Sequence, residues 1–367
     1  FNDAFEVLFN SYYNGVGELF PRKNRGFLSR PTVAEIILYR EYVDQHIIDL
    51  LAGSQTEQIG FCLELGINHE QQHQELLVTD LKYNFGNNPL KPAYMEEQPS
   101  LGVAISPRWI LFEGGLTEIG RNEEEEGFSF DNEKPRHTVY LEPYELASHL
   151  VTNREYIEFI EDGGYERYEL WLSDGWSHLK SLYADRWTAP LYWRKEGGTY
   201  LSYTLSGERE VDANSPVCHV SAYEADAFAR WRGCRLASEA EWEVASETVG
   251  STSGNFVENG FYHPRAAQNI LQASSLSNPK TSDHSGLQQM FGDVWEWTKS
   301  AYGAYPGFKQ FTGQLGEYNG KFMANQLVLR GGSCVTPLDH IRHTYRNFFY
   351  PPDRWQFSGI RLAKNLS

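Results

Sequence analysis

Leu63-Glu64-Leu65-Gly66-Ile67-Asn68-His69-Glu70-Gln71-Gln72-His73-Gln74-Glu75-Leu76-Leu77 can be read in two ways, and the choice decides which fold the N-terminal part builds. On a helix, residues four apart lie one above the other, so the imidazoles of His69 and His73 can reach one metal ion. In its letters the string is also His-Glu-x-x-His, a zinc-protease signature with Glu70 as general base. That reading needs a third ligand. The extended motif would place glycine at Leu76 and a further histidine near Asp80, and neither is there. Glu96 and Glu97 fall in a Pro-punctuated stretch, a poor place for a rigid ligand. A plain alternative remains, a pair of surface histidines on a Gln-rich helix.

Outward from this string, residues 1–98 read as a helical domain. Thr32 followed by Glu35 is a helix start, a capping threonine with an acid three residues on. Ile36, Ile37, Tyr39, Tyr42, Val43, Ile47, Ile48 and Leu51 then recur at helical spacing. A second helix is expected from about Gln55 to Asn84, stopping at Phe85-Gly86-Asn87-Asn88-Pro89. Its candidate core positions are Ile59, Leu63, Ile67, Leu76, Leu77 and Leu81. Leu90 to Pro107, with prolines at 92, 99 and 107, reads as a linker. Residues 99–367 alternate short β-prone runs (Trp109 to Phe112, His137 to Leu141, Val328 to Arg330) with Gly-rich loops and helices at Thr152 to Asp162 and Ala222 to Arg232. The expected class is α+β.

Composition narrows the function. A net charge of −17 argues against nucleic-acid and anionic-membrane partners, which require basic patches. The four cysteines, Cys62, Cys218, Cys234 and Cys334, are dispersed and form no C-x-x-C, which fits reduced thiols and a cytoplasmic setting. No apolar run approaches the ~18 residues of a membrane span. The chain opens at Phe1 within sequence that reads as folded, so further N-terminal residues are expected.

Several ordered strings carry a resemblance. They include Phe112-Glu113-Gly114-Gly115, Asp131-Asn132-Glu133-Lys134-Pro135-Arg136-His137, Gly233-Cys234-Arg235-Leu236-Ala237-Ser238-Glu239-Ala240-Glu241-Trp242-Glu243, Gly292-Asp293-Val294-Trp295-Glu296-Trp297-Thr298, Leu329-Arg330-Gly331-Gly332-Ser333 and Ser358-Gly359-Ile360-Arg361-Leu362-Ala363. Residues 109–363 resemble the formylglycine-generating-enzyme fold family, with its C-type-lectin-like core. That family's oxidase activity uses a cysteine pair near the C-terminus. The corresponding stretch here, His343 to Tyr350, has no cysteine, so formylglycine formation is not expected. One fold hosts many functions.

With His69 to Leu77, Leu8 to Gly17, Arg25 to Thr32, Tyr318 to Met323 and Arg346 to Phe349, the whole chain resembles the ergothioneine-biosynthesis sulfoxide synthases, a DinB-like helical bundle fused to the lectin-like domain. The resemblance implies a non-haem Fe(II) held by three histidines. Two of them match His69 and His73, and the third is expected before residue 1. His46 reads as a helix-surface residue. Three imidazoles leave iron positions for other ligands. The implied reaction couples hercynine and cysteine with O2 to hercynylcysteine sulfoxide. By the same resemblance Gln72 contacts the substrate imidazole, while Asn347 and Phe348 hold the trimethylammonium end, for which an aromatic face is suited. Relatives that use γ-glutamylcysteine carry Asp at the Phe349 position and Arg at the Asp353 position. This chain has neither, which favours free cysteine. Arg22, Arg25 and Arg30 stand as unranked partners for its carboxylate. The catalytic acid is expected to be Tyr12 or Tyr13, with Tyr302 and Tyr305 as alternatives. A histidine-using synthase of the ovothiol type, and a ligand-binding module with a degenerate metal site, remain open.

Overall fold

A computed structural model describes residues 1–10, 15, 17–53, 57–96, 108–181, 186–249, 252–267 and 286–366. The chain divides into two compact units. One comprises Phe1–Asn68 with Lys309–Lys321, and the other comprises His69–Phe308 with Phe322–Ser367.

The first unit is helical. It holds α1 (Ala4–Phe9), α2 (Val33–Ala52) and the beginning of α3 (Glu57–Asn87). The start of α2 is as expected. Thr32 Oγ1 accepts from the Glu35 amide (3.3 Å) and the Glu35 carboxylate accepts from the Thr32 amide (2.7 Å), which satisfies two otherwise orphaned donors. Phe1, Phe5, Phe9 and Tyr39 pack their rings at 4.9–6.0 Å, joining α1 to α2. The periodic apolar residues of α2 are not core. None of the helix is buried, and Ile37 and Ile48 are 53% and 57% exposed. His46 lies on the surface, its Nδ1 2.7 Å from the Tyr42 carbonyl.

The second unit carries the strands. They are β1 (Trp109–Phe112), β2 (Gly115–Ile119), β3 (His137–Leu141), β4 (Tyr144–Ala147), β5 (Trp193–Glu196), β6 (Thr199–Thr204), β7 (Gly207–Glu210), β8 (Arg235–Leu236), β9 (Trp295–Ala301), β10 (Leu327–Arg330), β11 (Asn347–Phe349), β12 (Ser358–Gly359) and β13 (Leu362–Asn365). One sheet has the order β1-β4-β13-β8 and a second β11-β10-β9-β12, with a β2-β3 pair and a β5-β6-β7 meander beside them. Helices α4 (Asn153–Glu161), α5 (Ser173–Lys180), α6 (Ala222–Trp231) and α7 (Glu239–Glu247) lie among the strands, so the α+β expectation holds. Capping boxes at Thr152, Ser221 and Ser238 start α4, α6 and α7.

Buried arginines tie the sheets together. Arg361 spends its guanidinium on both Glu296 oxygens (2.8 and 2.9 Å) and on the carbonyls of Ala147, Gln288 and Gln289. Arg330 pairs with Glu243 and donates to the carbonyls of His343 and Tyr345. Such pairs hold because nearly every donor and acceptor is used.

Helix α3 ends at Asn87, within the expected stop, and a Cβ on Gly86 would lie 2.9 Å from the Tyr203 ring and 3.1 Å from Tyr192, so this glycine permits a close approach. One sequence expectation changes here. The start of the expected linker is docked. The amides of Tyr94 and Met95 donate to the Leu205 carbonyl (2.7 and 3.1 Å), and the Tyr203 hydroxyl donates to the Pro92 carbonyl (2.7 Å). The 98/99 boundary lies outside the described residues. Among the described residues no helix is long and apolar enough to cross a membrane.

The Arg361 site makes a stability prediction. Arg361→Met leaves the Glu296 carboxylate buried with Trp242 Nε1 as its remaining donor (2.9 Å). Urea unfolding should show a loss of about 3–5 kcal/mol, whereas Arg40→Met, which opens an exposed i,i+4 pair with Asp44, should leave the midpoint in place.

Candidate functional site

From His69 to Asn87, α3 belongs to the second unit, and its buried residues, Thr79 and Lys82, lie on a largely polar, half-buried stripe. Gln72, Glu75, Thr79, Lys82 and Gly86 recur at alternating spacings of three and four, one face of a helix. Of the residues chosen from apolar periodicity here, Leu77 is 70% and Leu76 38% exposed, while Leu81 is half-buried. The carboxylate of Glu75 accepts from Trp295 Nε1 (2.7 Å), Ser333 Oγ (2.8 Å) and Thr336 Oγ1 (2.7 Å). Enclosure pushes its pKa up against those three donors.

His69 and His73 lie on the adjacent face. Their Nε2 atoms are 3.1 Å apart and their ring centroids 4.6 Å. Two nitrogens bound at ~2.1 Å in neighbouring coordination positions would sit about 3 Å apart, so this edge fits one metal ion. His69 is half-buried, and burial, followed by the nearby His73, lowers its pKa and favours the neutral ring a metal requires. His73 is exposed. Among the described residues no third histidine, cysteine or carboxylate joins them.

Gln72, between the histidines, enters a hydrogen-bond circuit. Its Nε2 donates to the Tyr345 hydroxyl (2.8 Å), which lies 3.0 Å from His340 Nε2, and His340 Nδ1 lies 3.1 Å from Gln71 Oε1. Gln71 Nε2 donates to Asp339 Oδ1 (2.6 Å). Burial pushes His340 down to about 3, so the ring is neutral. Tyr345 then donates to Nε2, and the ring proton sits on Nδ1, facing Gln71 Oε1. Amide orientation is thereby fixed for both glutamines.

Asn347, Phe348 and Phe349 form β11, paired with β10 in the register Leu329↔Asn347, Val328↔Phe348 and Leu327↔Phe349. Strand alternation turns Phe348 to the opposite face from its neighbours. Its ring stacks on Tyr302 at 3.9 Å and lies 5.8 Å from Phe322. Phe349 packs edge-on against Trp355 at 4.9 Å. Asp353 caps the next turn, accepting from the Tyr350 amide (3.2 Å). The Tyr302 hydroxyl accepts from Asn132 Nδ2 (2.9 Å), and burial raises its pKa. Tyr12 and Tyr13 lie outside the described residues, as do the side chains of Arg22 and Arg25. Arg30 lines a hollow of about 400 Å³ in the first unit with Leu8, Phe9, Phe20 and Leu28.

Sequence reasoning missed Glu75, Lys82, His340 and Tyr345. The first two were signalled by polar residues at 3-4-3 spacing. The others face α3 from more than 260 positions away, which no local pattern reports.

Residues 96–366 match the family described as "Sulfatase-modifying factor enzyme 1-like domain". A hercynine oxygenase of Mycobacterium tuberculosis is 33% identical over 87% of this chain and 75% of its own length. One from Mycolicibacterium thermoresistibile is 30% identical over 98% and 80% respectively. The solved structure of PvdO from Pseudomonas aeruginosa is 18% identical and superposes on 70% of this chain and 94% of its own with a TM-score of 0.46.

The buried neutral histidines set an acid sensitivity. His340 and His263 are both held at about 3 against an ordinary 6.5, so they favour the folded state fully above pH ~6.5 and progressively less as pH falls toward 3. In His340→Gln one of these groups is gone. Its stability deficit at pH 7.5 should therefore narrow by pH 4.5, as read by urea unfolding at both values.

Proposed function

The chain belongs to the sulfatase-modifying factor enzyme 1-like family, together with the hercynine oxygenases, and from that premise we propose that it is an iron(II)- and O2-dependent oxidoreductase of ergothioneine biosynthesis. Its reaction joins hercynine to cysteine and yields hercynylcysteine sulfoxide. The observation that carries this reading is the convergence of His69 and His73 Nε2 at 3.1 Å beside a glutamine whose orientation is fixed.

The reaction balances. Hercynine loses an imidazole C–H and cysteine its S–H, the C–S bond forms, one oxygen atom goes to sulfur, and the other leaves as water with those two hydrogens. O2 accepts four electrons, two from C–S coupling and two from sulfur oxidation. His69 and His73 would hold the iron, which when bound supplies O2 activation and a seat for the thiolate.

This chain's residues do the orienting. Gln72, braced by Tyr345, presents a fixed amide to the hercynine imidazole. Phe348 supplies an aromatic ring suited to a trimethylammonium, which can neither donate nor accept a hydrogen bond, while Asn347, the other residue expected at that end, lies on the opposite face of β11. Phe349 packs against Trp355, and the Asp353 carboxylate accepts from the Tyr350 amide and the Trp355 side chain, so neither position offers the Asp and Arg clamp a γ-glutamyl group would need, which supports free cysteine as donor. Tyr12 or Tyr13 would hold the proton given during turnover.

Reconstitution with Fe(II) under anaerobic conditions should give one iron per chain by metal analysis. His69→Ala and His73→Ala should each weaken retention at least tenfold, while Gln72→Ala keeps the iron and raises KM for hercynine. An iron content unchanged in both histidine variants sinks the metal assignment.

Mass spectrometry after O2 addition tests the substrates. Hercynine with cysteine should give the sulfoxide, γ-glutamylcysteine should be poorer, and unmethylated histidine should give none. Tyr12→Phe or Tyr13→Phe should slow turnover or divert cysteine to simple sulfur oxidation, and unchanged products in both would move the acid elsewhere.

A further inference from the structure

The hydrogen-bond circuit behind Gln72 has a direction, and a single carboxylate sets it. Gln71, His340, Tyr345 and Gln72 each carry both a donor and an acceptor, so a chain of these four alone could run either way. Asp339, at the head of the chain, cannot reverse, because an ionised carboxylate only accepts. Asp339 and His340 share one short turn, Leu338–His340, held by the Glu258 carboxylate on the Leu338 amide (3.1 and 3.2 Å). Both reach the side-chain amide of Gln71.

With Asp339 Oδ1 at 2.6 Å, Gln71 turns its Nε2 to the carboxylate. Its Oε1 then faces His340 Nδ1 at 3.1 Å, so that nitrogen carries the ring proton. His340 is 1% exposed, and burial, then Arg342, hold the ring neutral. One proton on Nδ1 makes Nε2 an acceptor, and the Tyr345 hydroxyl, 3.0 Å away, donates to it. The phenol oxygen in turn accepts from Gln72 Nε2 at 2.8 Å. Run in reverse, the chain would set Gln71 Oε1 against Asp339 Oδ1, two acceptors in contact. Tyr345 is itself buried, its ring 5.8 Å from Phe130 and 5.6 Å from Trp295. In such an enclosed chain each hydrogen bond polarises the next.

The Gln72 amide is thus oriented from Asp339 through four hydrogen bonds. An amide holds its nitrogen and oxygen on different sides, so a nitrogen turned to Tyr345 sets the carbonyl oxygen away from it. We propose that Asp339, Gln71, His340 and Tyr345 are positioning residues that make Gln72 present its carbonyl oxygen to the substrate, so that the site selects an imidazole offering it an N–H. The proposal rests on the reading of Gln72 as the contact for the hercynine ring.

Nitrogen-15 NMR of the histidine-labelled full chain reads the His340 tautomer with neither metal nor substrate, and His340→Gln identifies the signal. The native chain should carry the proton on Nδ1. Asp339 is exposed, so Asp339→Lys should fold. It puts a donor before Gln71 and should shift the proton toward Nε2, whereas Asp339→Asn, which still offers a carbonyl, should keep it on Nδ1. Calorimetric titration of the iron-loaded enzyme with hercynine reads the consequence. Asp339→Lys should weaken binding roughly tenfold, with Asp339→Asn close to native. Tyr345→Phe cuts the chain beyond His340, so it should keep the proton on Nδ1 and lose the same affinity. A native His340 protonated on Nε2, or a tautomer unmoved in Asp339→Lys, overturns the polarity chain. A moved tautomer with unchanged affinity overturns its role in selecting substrate. A native chain with the expected tautomer that binds no hercynine overturns the hercynine reading instead, since the tautomer shift stands without it.

Discussion

The polar stripe on α3 is the constraint on which the site depends. An apolar helix face can slide or rotate at small cost, because dispersion contacts are short-ranged but undirected. A buried polar face cannot, because each group needs its partner at a defined distance and angle. Here Gln72 meets Tyr345, Glu75 meets Trp295, Ser333 and Thr336, and Lys82 meets His219. Gly86 admits the Tyr203 and Tyr192 rings at the far end. A register slip of one residue would break every one of these bonds together. Rotation about the helix axis is fixed by the same bonds, so His69 and His73, roughly a quarter turn from Gln72, are aimed without needing contacts of their own.

The partners of that stripe are drawn from the strand-bearing unit's own core. Trp295 opens β9, and strand alternation sends it and Glu296 to opposite sides. Trp295 donates to Glu75 and lies 5.6 Å from the Tyr345 ring, while Glu296 pairs with Arg361 and accepts from Trp242. Ser333 and Thr336 follow Arg330, whose guanidinium is anchored on Glu243. The clamp on α3 is thus continuous with the buried ion pairs of the core, and the core's rigidity passes to the helix through a few directed bonds.

Legibility in the sequence followed the range of the interaction. Thr32 with Glu35 announced α2 because a capping box is complete within four residues. His69 and His73 were legible for the same reason, since the i,i+4 relation alone brings their nitrogens together. Periodicity failed for the core side of α3. Of the apolar residues it selected, Ile67, Leu76 and Leu77 are exposed and Ile59, Leu63 and Leu81 are half-buried, while Thr79 and Lys82 are the buried residues from His69 on, beside a half-buried Glu75 and Val78. A buried polar stripe has the spacing of a core and the composition of a surface, so only its partners distinguish the two, and those partners are hundreds of residues away.

The stretch from His343 to Tyr350 shows how one fold can serve different chemistry. The resemblance places an oxidase's cysteine pair there, and this chain has none. Its residues are nonetheless committed. Tyr345 braces Gln72 and closes the circuit through His340, Arg346 grips Glu239 at 2.7 Å, and Phe348 stacks on Tyr302. Residues that would hold reactive thiols on the strand instead hold a helix and present an aromatic face. The backbone of the fold is kept while this stretch serves packing and hydrogen bonding to the helix in place of a thiol pair.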